Sequence, residues 1–105
     1  MNNMILMPPP LRERAERYCK LMLRVSGADP MEESRRRPVV MARMMVANAL
    51  LIDGYTLTAV GTILGVDHSS VSYYKDRMSE VLSAPGYEAE RDLWSRFVKE
   101  MFDGE

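Results

Sequence analysis

The chain has 105 residues, enough for one domain with a modest core, and its 47% hydrophobic and 28% charged content excludes a disordered polymer. Ten Met stand against two Phe, one Trp and five Tyr, so the core is expected to be aliphatic and sulfur-rich. Cys19 is the single cysteine, which excludes an intrachain disulfide and a cysteine metal cluster and favours a reducing, cytoplasmic setting.

The start, MNNMILMPPP, lacks the basic region and long apolar stretch of a secretory signal. The longest largely apolar run, Met44 to Ile52, is interrupted by Asn48 and is too short to span a bilayer, so no membrane partner is expected. Pro8 to Pro10 stop regular structure and point to a helix starting near Leu11. Leu11, Ala15, Tyr18, Cys19, Met22 and Val25 recur at helical spacing, and Ser26-Gly27 supplies the stop. Asp29-Pro30 reads as a cap and first-turn proline that open a short turn or helix through Glu33.

Pro38 falls in the first turn of the next helix, which runs to about Ile52 and is apolar nearly all round, as a central buried helix must be. Asp53-Gly54 ends it. Thr56 caps a short helix, Leu57 to Leu64, which Gly65 ends; Asp67 then caps a longer one from His68 to about Leu82. Val71, Tyr74, Met78 and Leu82 form that helix's inward stripe. After Ala84-Pro85-Gly86, an amphipathic helix over 87–102 carries Leu93, Trp94, Phe97, Val98 and Met101 on one face. No segment alternates with period two. The expected fold class is therefore all-α: a single domain over 1–105, a small helical bundle of about five helices containing a helix-turn-helix. Met44, Leu50, Leu57, Ile63, Leu64, Val71 and Met78 are expected to be buried together.

The net charge of −1 conceals an asymmetry. Residues 1–52 carry nine Lys/Arg against five Asp/Glu, and residues 53–105 carry five against ten. Within 35–77, six basic residues outnumber three acidic ones, a basic centre compatible with a nucleic-acid-facing side.

The informative stretch is TLTAVGTILGVDHSSVSYYKDRM, residues 56–78. A short helix, a tight glycine-bearing turn and a longer polar-fronted helix describe a helix-turn-helix. Ala59 and Gly61 are small enough for close helix crossing, and Asp67, His68, Ser69 and Ser70 stand where short polar side chains reach base edges in a major groove.

RRRPVVMARMMVANAL followed by VGTILGVDHSSV resembles the C-terminal duplex-binding domain of the bacterial chromosomal replication initiator DnaA, over about residues 35–80. Gly61, Gly65 and the run Asp67-His68-Ser69-Ser70-Val71 carry most of the likeness. The resemblance implies double-stranded DNA as partner, with base contacts from Asp67, His68, Ser69 and Ser70. It implies that an arginine of the Arg35-Arg36-Arg37 cluster enters the minor groove, and that Arg43, Thr56 and Lys75 lie near phosphates. Serines replace the family's threonines, Val66 replaces an arginine, and the chain is about one residue shorter before Thr56 and one shorter in the turn, so the family's preferred DNA box is not carried over. There is no GxxxxGK[ST] run, hence no phosphate-cradling loop, and the expectation is a stand-alone DNA reader, a regulator or replication accessory protein.

No cofactor and no metal are expected, since His68 is the only histidine and has no second donor at ligand spacing. Asp67, His68 and Ser69 have the residue types of a hydrolase triad, but neighbours on one helix do not form its geometry, so no enzyme is expected. Two further readings stay open. The acidic C-terminal helix could make the chain a protein-interaction module, and the Trp94 helix could pack on the domain or form a homodimer or partner contact.

Overall fold

The structure, a computed structural model, describes residues 10–103. The expectation that Pro8 and Pro9 exclude regular structure lies outside them. Five helices follow in order: α1 (Leu11–Ser26), α2 (Arg37–Ile52), α3 (Leu57–Leu64), α4 (His68–Ser83) and α5 (Glu88–Asp103). No strand occurs among the described residues, and none of their helices is long and apolar enough to cross a membrane.

Local signals set the helix ends. Gly27 takes a left-handed φ of 78° and its N–H returns to the Leu23 carbonyl, closing α1. Pro38 stands in the first turn of α2, where its missing N–H costs nothing. The Thr56 hydroxyl accepts the Ala59 N–H at 3.1 Å, capping α3. The Asp29-Pro30 signal yields a turn only: Asp29 Oδ1 accepts the Met31 N–H at 2.9 Å, and the chain runs on without regular structure to α2.

The centre of the fold is α2, whose Met45, Val46, Ala47, Ala49 and Leu50 are fully buried. Around it pack Ala15, Tyr18, Leu21 and Met22 of α1, Val60 and Leu64 of α3, and Val71, Tyr74, Met78 and Val81 of α4. Of the expected core, Leu57 and Ile63 are only partly buried, because eight-residue α3 presents a single narrow face inward. Leu82, expected inward, is 46% exposed and Val81 takes its place. The buried line runs through 71, 74, 78 and 81, and the last turn of α4 is oriented by α5, whose Arg91 donates to the Val81 and Ala84 carbonyls at 2.9 and 2.6 Å.

The apolar face of α5 packs on α1: Phe97 is fully buried, Met101 nearly so, and Leu93 and Trp94 pack against the same core. Arg17 Nη2 donates to the Met101 carbonyl at 2.6 Å, and Arg24 pairs with Glu100. Cys19 is half-buried against the core, and burial, assisted by nearby Asp29, pushes its thiol up to about 11. It stays a protonated, poorly nucleophilic thiol at neutral pH.

Two polar links, one buried and one partly buried, join distant elements. Asn48 Nδ2 donates to the Met44 carbonyl at 2.9 Å and to the Tyr74 carbonyl at 3.1 Å, tying α2 to α4. The Tyr18 hydroxyl, on a ring 1% exposed, donates to Asp53 Oδ2, and Arg14 Nε lies 3.7 Å from the same oxygen. Burial first, then the Asp53 carboxylate, pushes the Tyr18 phenol up to about 12. An unfolded tyrosine ionises near 10, so this phenol's contribution to stability is full below about pH 10 and is lost as pH rises through about 12. Urea midpoints followed across that range should therefore fall in the wild type, and Tyr18→Phe should lack that component of the fall.

Candidate nucleic-acid interface

Gly65, Val66 and Asp67 connect α3 to α4. Gly65 has a left-handed φ of 73°, and the Val66 N–H bonds back to the Gly61 carbonyl at 2.9 Å. The backbone of α3 lies directly against the start of α4: a Cβ on Gly61 would sit 2.7 Å from the Val66 carbonyl oxygen and 3.3 Å from the His68 nitrogen. Gly61 alone therefore permits the crossing, and any side chain there would push the turn away from α3.

Asp67 occupies the N-cap position with an extended backbone but makes no capping hydrogen bond through its side chain, contrary to the expectation from sequence. Its carboxylate is drawn to its neighbours instead. Oδ2 accepts the Ser69 hydroxyl at 3.1 Å, and Oδ1 lies 3.2 Å from His68 Nδ1. The donated Ser69 hydroxyl, with His68 acting in the same direction, holds Asp67 below the ordinary carboxylate range. Both His68 and Ser69 therefore engage the aspartate, whereas a nucleophile triad needs the serine on the imidazole. Asp67, His68 and Ser69 are exposed together at the front of α4; Ser70 is half-buried behind them.

The basic residues divide. Arg35 is exposed and has no partner among the described residues. Arg36 lies 3.7 Å from Glu32, and Arg37 pairs with Glu90 of α5 at 3.0 Å. Arg43, expected near phosphates, is engaged inside the fold: its guanidinium donates to the carbonyls of Pro30 at 3.0 Å, Glu32 at 2.6 Å and Ser34 at 3.4 Å. It thereby fastens the loop that carries Arg35 and Arg36. That loop borders the helix-turn-helix, since residues 31–35 form one wall of an open groove whose other wall is Leu64, Gly65 and Val66. Thr56 is exposed, with its hydroxyl committed to the α3 cap, and Lys75 is exposed on α4 without an ion-pair partner among the described residues. Acidic side chains are exposed on the same elements: Glu32 and Glu33 on the loop, Asp76 and Glu80 on α4.

Tyr73, to which the sequence assigned no role, is 56% exposed on α4. Its spacing, four residues beyond Ser69, was the available signal. No such signal existed for the role of Arg43, because carbonyl acceptors carry no side-chain signature. Among the described residues there is no group of three or more His, Cys, Asp or Glu placed to hold a metal ion.

Fold and site together define a small all-helical domain with a helix-turn-helix whose second helix opens on exposed polar side chains. Comparison of the chain with protein families, with characterised proteins and with solved structures gives no match.

Proposed function

We propose that the protein binds duplex DNA, with α4 in the major groove and its first turn toward the base edges, in the manner of the initiator domain that residues 35–80 resemble. The observation that carries this reading is the placement of the Arg35 loop against the Gly65-Val66 turn, beside the exposed front of α4. A positive side chain then stands across a groove from the turn that leads into a set of short hydrogen-bonding groups, a placement that suits phosphate positioning beside base reading. His68 and Ser69 read base edges, and Asp67 orients them while offering its own acceptor to a cytosine amino group. Ser70 supports them from behind. Arg35 enters the adjacent minor groove or meets its phosphates, and Lys75 and Thr56 lie along the backbone. Arg36 and Arg37 join only by leaving Glu32 and Glu90, while Arg43 positions the loop. In this reading the chain is a cytoplasmic regulator or replication accessory protein that needs neither cofactor nor catalytic residue.

Fluorescence anisotropy of a labelled random duplex through a salt titration tests it. The wild type should bind with log-affinity falling linearly in log-salt, and Arg35→Ala should make that slope shallower by about 0.9. Absence of duplex binding by the wild type at low salt would end the reading. An unchanged slope in Arg35→Ala would remove Arg35 from the contact set.

A further inference from the structure

We infer that Tyr73, rather than Ser70, extends the base-reading face of α4, as a specificity-determining contact to base edges. The inference rests on the duplex-binding reading above.

The inward side of α4 is set by Val71, Tyr74, Met78 and Val81. Successive residues of a helix are 100° apart, so Ser69 and Tyr73, four positions apart, lie one above the other on the opposite side. Ser70 lies toward the buried side and is half-covered. Tyr73 is 56% exposed, and its hydroxyl has no hydrogen-bond partner among the described residues, whereas the Tyr18 hydroxyl bonds Asp53 and the Tyr87 hydroxyl bonds Glu80. Its only ring neighbour among them is Tyr74, tilted at 6.3 Å. A large, partly apolar side chain with an open hydroxyl is thus displayed one turn behind Ser69.

A helix entering a groove by its N-terminus recedes from the base pairs along its length, and one turn in, a phenol reaches where a serine does not. Asp76, exposed three residues further along the same side, has no ion-pair partner among the described residues and repels phosphate. The site around Tyr73 therefore favours base edges over backbone. The ring suits a thymine methyl, and the hydroxyl can donate to a purine N7 or a carbonyl acceptor.

The test uses duplexes enriched from a random pool by the wild-type protein, with affinity for the best enriched duplex compared with that for unselected duplex. Tyr73→Ala, a surface change whose melting curve should match the parent, is expected to lower that ratio about 5- to 100-fold, while Ser70→Ala leaves it within about 2-fold. Tyr73→Phe then assigns the contact: a retained ratio to the ring, a lost one to the hydroxyl. If the wild type discriminates and His68→Ala loses the ratio while Tyr73→Ala keeps it, the inference is overturned and the duplex reading survives. If no duplex is enriched although the wild type binds random duplex, base reading by α4 and this inference fall together while duplex binding itself stands. A Tyr73→Ala protein that changes sedimentation mass without changing the ratio would place Tyr73 in a contact between copies and overturn the inference.

Discussion

Phe97→Ala is expected to destabilise the protein by about 3–5 kcal/mol, a large part of the roughly 5–15 kcal/mol that holds a domain folded. Phe97 is fully buried where α5 meets α1, with its ring edge-on to Tyr18 at 6.0 Å and tilted to Trp94 at 5.9 Å. Truncation leaves a cavity that helices fastened by the Arg17–Met101 hydrogen bond close only in part. It also removes an aromatic wall beside the Tyr18–Asp53 link, so the loss should exceed that from area alone. Urea unfolding followed by circular dichroism measures it. The matched control is Phe102→Ala, one residue beyond Met101 and 72% exposed, which should stay within about 0.5 kcal/mol of the parent. A cost below about 1 kcal/mol for Phe97→Ala would mean that α5 is not held to α1 through this ring.

The second large effect concerns recognition. His68→Ala should lower the preference for a selected duplex over random duplex by about 5- to 100-fold, the worth of one lost base contact. Its melting temperature should stay close to the parent's, because the imidazole is exposed and its one polar side-chain partner among the described residues is the Asp67 carboxylate. Competition anisotropy with the two duplexes measures the ratio directly. An equal loss on both would make His68 a backbone contact. Asp67→Asn offers an internal check: it weakens the acceptor for both the imidazole and the Ser69 hydroxyl, so it should reproduce part of the His68 loss without removing the histidine.

Most helix boundaries were legible because their causes lie within a turn of the residue concerned. Gly27 and Gly65 need left-handed backbone, Thr56 offers a hydroxyl to the Ala59 amide, and Pro38 starts a helix without a donor to lose. The need for a small residue at Gly61 was legible too, although the 2.7 Å that a Cβ would leave to the Val66 carbonyl is a tertiary quantity. Asp67 marks the limit of such reading. Its position as the residue before α4 was local information, but the choice of Ser69 and His68 over the helix amides depends on side-chain torsions that spacing does not report.

The arginines show the same division more sharply. The sequence puts three of them together where α2 begins, and nothing in the triplet distinguishes its members. Arg37 is drawn to Glu90, 53 residues away, and Arg36 to Glu32, which leaves Arg35 toward the helix-turn-helix groove. Arg43 reads as a charge on an apolar helix, yet it holds carbonyls 9 to 13 residues upstream. Asn48 reads as an interruption, yet it joins α2 to the Tyr74 carbonyl 26 residues on. Five helices, most of their ends and the buried character of α2 were determined by the sequence alone, since caps, glycine stops and apolar periodicity act over one or two turns. Which cation is available, which polar group is buried in partnership, and whether Val81 or Leu82 turns inward were decided only by the tertiary structure. Each of those outcomes depends on a partner brought near by the packing of distant helices, and one-dimensional spacing carries no record of that meeting.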